Sequence, residues 1–127
     1  MLNKYLGVPF ADCGRSLETG LDCWGLALAV REELGLPRLA EAGTACRENL
    51  AEMAHQYRAI SSGLRVGEPC IGALAAVFKG KAFVHVGVVV EADGRLCVID
   101  TNPIPGCRIT TLPRFIETYY KVIFYHD

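Results

Sequence analysis

The chain has 127 residues, 51% of them hydrophobic, and a formal net charge of −1. That length and apolar content predict a single domain over residues 1–127 with a real core. Near-neutral charge with scattered basic residues excludes an electrostatic footprint for nucleic acid, and no apolar run is long enough to span a bilayer, so neither a nucleic-acid nor a membrane partner is expected.

The first twenty residues read as an irregular approach with turns at Gly7, Pro9, Gly14 and Gly20. The opening Met1-Leu2-Asn3-Lys4-Tyr5-Leu6 lacks the apolar core and cleavage site of a secretory signal. Synthesis in the cytoplasm without a signal peptide is therefore expected. Asp22 is a good helix cap, and Leu26, Ala27, Val30 and Leu34 recur at helical spacing after it. Gly35 and Pro37 stop that helix. A second helix is expected over roughly 47–60, with Leu50, Met53, Tyr57 and Ile60 on one face and His55 exposed on the other. Strands are expected over Ile71–Phe78, Ala82–Glu91, Arg95–Thr101, Cys107–Thr111 and Tyr120–Tyr125. The order predicts an α+β fold, with N-terminal helices packed on an antiparallel sheet of about five strands.

Six cysteines stand at positions 13, 23, 46, 70, 97 and 107. Without an export signal, reduced thiols are expected. No Cys-x-x-Cys or Cys-x-x-His pair is present, so no structural zinc is expected, nor any other metal or cofactor. Cys70 and Cys97 adjoin or lie within apolar runs and read as small buried hydrophobes. Cys23 differs, because it falls where the first helix begins.

The Asp93-Gly94 pair is a strong hairpin signal. A two-residue loop there pairs Ala92 with Arg95 and, counting back, sets Gly87 opposite Asp100 and His85 opposite Asn102. On the strand, Val84, Val86, Val88 and Val90 form one face, expected to be the core face. His85, Gly87 and Val89 lie on the other, so replacing His85 is expected to cost little packing. Gly87 leaves space beside the imidazole.

These residue types suit nucleophilic chemistry at sulfur, which needs a thiol of lowered pKa, a base and a group that orients the base. The helix N-terminus would favour the Cys23 thiolate and offer a backbone N–H to an oxyanion. His85 is the candidate base. Asp100 is the candidate orienter, with Asn102 as the alternative third residue. Asp22 and Trp24, beside the thiol, are candidate substrate-binding residues, with packing the simpler role for Trp24. His126, near the C-terminal end of the sequence, is expected to be uninvolved.

The stretches Gly7-Val8-Pro9-Phe10, Gly20-Leu21-Asp22-Cys23-Trp24-Gly25-Leu26, Ile71-Gly72-Ala73-Leu74-Ala75-Ala76-Val77-Phe78 and His85-Val86-Gly87-Val88 resemble successive motifs of the NlpC/P60 cysteine peptidases. The resemblance covers roughly residues 5–102. Trp24 after the cysteine, and Leu112-Pro113-Arg114-Phe115 with Tyr119-Tyr120 near the end, are similar to the branch found in tail-assembly proteins of phages and prophages. The resemblance implies a papain-like fold and hydrolysis of peptide bonds in bacterial cell-wall stem peptides, typically after γ-D-glutamate. It implies Cys23 as nucleophile and His85 as base. It also implies peptidoglycan stem peptide as substrate partner, other phage tail proteins as assembly partners, and a virion-tail location. The sequence departs from the family at Phe10, where Tyr is common, at Ala73 in place of Asp, and at Asp100, where His, Asn or Gln is usual. Two alternatives stand beside the peptidase: a thiol-dependent acyltransferase or amidase on another substrate, and a largely structural tail-assembly protein with a vestigial site.

Overall fold

The computed structural model describes residues 2–37, 39, 57–58, 60–119 and 121–127. A 3-10 turn, Leu2–Tyr5, precedes a small hairpin of β1 (Arg15–Ser16) and β2 (Gly20–Leu21). Helix α1 (Cys23–Glu33) follows. Then come β3 (Arg65–Val66), β4 (Leu74–Lys79), β5 (Ala82–Ala92), β6 (Arg95–Asn102), β7 (Gly106–Thr111), helix α2 (Leu112–Thr118) and β8 (Lys121–His126). Strands β3 to β8 form one antiparallel sheet in the order β3-β8-β4-β5-β6-β7.

The fold is α+β, as expected, with three differences. The sheet has six strands, because β3 pairs with the edge that β8 presents. The chain reaches that edge through α2, which the sequence reading left out. Its signals were Pro113 in the first helical turn and the Phe115/Tyr119 spacing. The N-terminal approach also contains the β1–β2 hairpin. Most of the expected second helix, including His55, lies outside the described residues; residues 57–58 and 60–63 are helical. Among the described residues, no helix is long and apolar enough to cross a membrane.

Helix α1 is closed at both ends by its own sequence. The Asp22 carboxylate accepts from the Gly25 N–H at 2.7 Å. At the other end Gly35 takes φ +73°, its N–H donating to Glu32 O and that of Leu36 to Arg31 O, both at 3.0 Å. The helix buries Leu26, Ala27 and Val30 against Leu74, Ala76, Val86, Val88, Val90 and Ile99 on one face of the sheet. The opposite face is also covered. There Ala73, Ala75, Val77, Val89 and Val98 pack with Phe115 of α2. Both sides of β5 are therefore core, not one.

The β5 alternation breaks once. Val77 pairs with His85, but Phe78 pairs with Phe83, leaving Val84 as the extra residue of a bulge. This corrects the reading of Val84. It packs with the α2-side cluster, whereas Val86, Val88 and Val90 face α1.

Candidate active site

The β5–β6 hairpin turns through Asp93 and Gly94, both at positive φ (52° and 75°), the conformation a two-residue turn of this hand needs. Ala92 pairs with Arg95, and the ladder runs back to Val88 opposite Ile99. It ends there, although both strands continue. His85, Gly87, Asp100 and Asn102 all lie beyond its last rung. Gly87 is obligatory at that point: a Cβ would stand 2.5 Å from Val98 Cγ1 and 3.2 Å from Asp100 Cβ. The missing side chain lets β6 bring Asp100 close.

His85 Nε2 and Asp100 Oδ2 are 2.9 Å apart, and the two residues are 2% and 0% exposed. The histidine is not the lightly packed residue expected from its strand face, because that face is buried under α2. The Tyr119 ring lies against the imidazole, centroids 5.4 Å apart. Asp100 Oδ2 also accepts from the Tyr119 hydroxyl at 3.3 Å and from Asn102 Nδ2 at 3.4 Å, and Asn102 Nδ2 donates to the Tyr119 oxygen at 3.1 Å. The second carboxylate oxygen, Oδ1, has no hydrogen bond and faces Arg108 Nε at 3.6 Å.

Cys23 is the first residue of α1 and is 3% exposed. Its thiol stands within hydrogen-bonding and electrostatic reach of the imidazole, although Nδ1 makes no bond of full geometry. Burial alone would lower the His85 pKa. The hydrogen bond to Asp100, then the hydrogen bond and charge of Cys23, outweigh it and raise the pKa to about 9. The ring is therefore an imidazolium at neutral pH, held between a carboxylate and a sulfur.

The helix start is braced from behind. The Arg15 guanidinium bonds Asp22 Oδ1 at 2.6 Å, and the Asp22 N–H donates to Gly14 O at 3.3 Å. Gly25 packs on the same backbone; a Cβ there would stand 2.3 Å from Gly14 O. The Asp-Cys-Trp-Gly run is thus one device. Asp22 caps the helix, Cys23 leads it, Trp24 is driven into the core at 1% exposure, and Gly25 permits the close approach.

The structure brings Cys23, His85 and Asp100 together, with Asn102 bonded to Asp100 and Tyr119 instead of to the ring. Asp22 and Trp24, the candidate substrate-binding residues, are both buried. Asp22 is committed to Gly25 and Arg15, and Trp24 offers no surface. Cys70 is exposed, contrary to expectation, because Ile71 and Gly72 form a turn ahead of β4 instead of extending it. Cys97 is buried as expected. Cys13 is disulfide-bonded, so the expectation of reduced thiols fails for it; its partner lies outside the described residues. His126 ends β8, two strands from β5 in the sheet, and donates from Nδ1 to Asp127 O. Tyr119 and Arg108 were missed. No local signal marks Tyr119, which reaches Asp100 from the end of α2; Arg108 is the cross-strand partner of Asp100 in the β6–β7 hairpin.

A surface groove lined by Ala92, Asp93, Arg95, Cys97, Ile109 and Thr111 lies at the hairpin-turn end and shares no residue with the site. Among the described residues, no group of three or more His, Cys, Asp or Glu is placed to hold a metal ion. Comparison of the chain with protein-family models, with curated proteins and with solved structures finds no match in any of the three.

Proposed function

We propose that this chain is a cysteine peptidase of the NlpC/P60 type, acting on bacterial cell-wall stem peptides in a phage or prophage tail. The observation that carries the proposal is the buried Cys23–His85–Asp100 array, with the sulfur at a helix N-terminus and the imidazole bonded to a carboxylate at 2.9 Å. The sequence motifs point to the same residues. A helix that leads with the thiol and packs on an antiparallel sheet bearing the histidine supports a papain-like fold.

In this reading the Cys23 thiolate attacks the stem-peptide carbonyl. The Cys23 amide, left unpaired by helix geometry, supports the oxyanion. Imidazolium His85 gives its proton to the leaving amine, and the acyl group stays on sulfur as a thioester. His85, now neutral, takes a proton from water, the hydroxide adds to the thioester, and the acid and the thiolate separate. Asp100 holds the ring in one tautomer throughout and stabilises its charged form.

A second reading follows from burial. At 3% exposure the thiol offers little surface to a substrate, which favours a structural tail component whose site is closed. The test is digestion of purified stem peptides containing γ-D-glutamate, read by mass spectrometry. The peptidase reading expects a new amine terminus and, for Cys23→Ala, a rate lower by on the order of 10⁴-fold or more. No cleavage by the wild type, together with normal assembly of Cys23→Ala particles, would establish the structural reading. Products with an added amine in place of water would identify an acyltransferase.

A further inference from the structure

The described groups around His85 can be traced outward from the ring. Cys23 faces it from α1, Asp100 from β6, and Tyr119 from the end of α2. Behind Asp100 stand Arg108 and the buried thiol of Cys107, both from β7. Of these, Asp100 alone is shared. Its Oδ2 faces three donors: His85 Nε2, the Tyr119 hydroxyl and Asn102 Nδ2.

We infer that Tyr119 and Asn102 are positioning residues for the proposed thiol chemistry, a paired clamp that fixes the Asp100 carboxylate and limits how much of its charge His85 receives. The inference rests on the functional reading above.

Three observations carry it. First, the two residues are bonded to each other as well as to Asp100. Asn102 Nδ2 donates to the Tyr119 oxygen at 3.1 Å, which turns the phenolic hydrogen toward Asp100 Oδ2 at 3.3 Å. A hydroxyl that accepts on one side and donates on the other has a fixed direction. Second, burial, the largest influence on Tyr119, raises its pKa, so the phenol stays a neutral O–H donor wherever His85 is charged. Third, the same Tyr119 ring packs on the imidazole and on Phe115, whose centroid is 4.8 Å away. One side chain therefore fixes both partners of the His85–Asp100 bond, the base by its ring face and the carboxylate by its hydroxyl. The two contacts are separable by substitution.

Tyr119→Phe keeps the ring contacts and deletes only the hydroxyl. Asp100 Oδ2 then has one donor fewer, and more of its charge falls on the imidazolium. The His85 pKa should rise by about half a unit or more, and Asn102→Ala should move it the same way. If the chain is a peptidase, the alkaline limb of its pH–rate profile moves up in step. Its maximal rate should fall about tenfold, the kinetic equivalent of one hydrogen bond to a charged group.

The test uses the intact chain and needs no substrate for its first arm. Ring-nitrogen NMR of His85 gives its pKa and tautomer, and timed iodoacetamide labelling gives the reactivity of Cys23. A raised His85 pKa in Tyr119→Phe and in Asn102→Ala, with unchanged melting of Tyr119→Phe, supports the clamp. A His85 pKa that stays put or falls in both variants overturns it, whatever happens to rate, because a merely structural contact would lower stability without moving the titration. A wild-type His85 titrating near its ordinary value, beside an unreactive Cys23, would instead sink the functional reading itself.

Discussion

Two ion pairs among the described residues, Arg31–Asp127 and His85–Asp100, are built differently. Arg31 of α1 is 2% exposed and holds Asp127 through both terminal nitrogens, at 2.9 and 3.0 Å. The same nitrogens reach Gly72 O at 3.0 Å and Pro37 O at 3.2 Å, so the fork is saturated and only Nε lacks a partner. It ties α1, the approach to β4 and Asp127, just past β8, into one corner. His85–Asp100 is buried on both sides, yet each partner keeps an unbonded atom, Nδ1 and Oδ1. A saturated pair has nothing left to offer and serves the fold. A pair with a free ring nitrogen beside a thiol has somewhere to pass a proton.

The sharpest way to break this contrast is to remove the carboxylate that makes His85 basic. Asp100→Ala takes away the largest influence raising the His85 pKa and leaves burial to lower it. Stem-peptide cleavage should fall by on the order of 10³-fold, with the remaining activity dependent on the oxyanion donors. Asp100→Asn should lose less, because an amide still orients the ring. Equal activity of all three proteins would show that Asp100 belongs with Arg31 as a structural partner. His85→Ala is a poorer probe than its strand position suggested, since it strands a carboxylate that is 0% exposed.

The saturated pair should behave in the opposite sense, affecting stability and leaving chemistry alone. Its partners are unequal, with Asp127 37% exposed and Arg31 only 2%. Asp127→Ala strands a buried guanidinium and should cost about 3 kcal/mol in denaturant unfolding. Arg31→Met replaces that charge by an apolar chain of similar length, and the freed carboxylate can rehydrate, so it should cost about 1 kcal/mol. The reverse order would mean that the Gly72 and Pro37 carbonyls, not Asp127, hold Arg31.

How much of this the sequence disclosed depended on range. Local rules found the Asp22 cap, the Gly35 stop, the Asp93-Gly94 turn and the register carried by it, and so placed Asp100 beside His85. They failed where tertiary packing decides. The Val84 bulge reverses a strand face without any residue that announces it. The second buried face of the sheet depends on α2, which lies beyond β7 in sequence. Tyr119 meets Asp100 from 19 positions away, a spacing that no helix or hairpin rule connects, whereas Arg108 stands directly across from Asp100 on β7. The exposure of Cys70 and the bonded state of Cys13 were missed for the same reason, since neither is a property of its neighbours in sequence.

The smallest expected effect separates the two pairs by pH. The hydrogen bond from Arg31 is the largest influence on Asp127 and holds its carboxyl below the ordinary 3.8. A carboxyl of lowered pKa stabilises the fold above its unfolded value, and that contribution is lost as pH falls through the folded value. His85 has the opposite sign. Its pKa is raised from 6.5 to about 9, so its contribution is whole below pH 6.5, declines as pH rises, and is gone above about 9. The fold should therefore lose a few degrees of melting temperature at each end of the scale, for separate reasons. Asp127→Asn should flatten the acid side alone, and Asp100→Asn the alkaline side alone, in calorimetric scans from pH 3 to pH 10. If Asp100→Asn leaves the alkaline slope in place, the imidazolium is not what that pair holds, and the thiolate–imidazolium assignment falls with it.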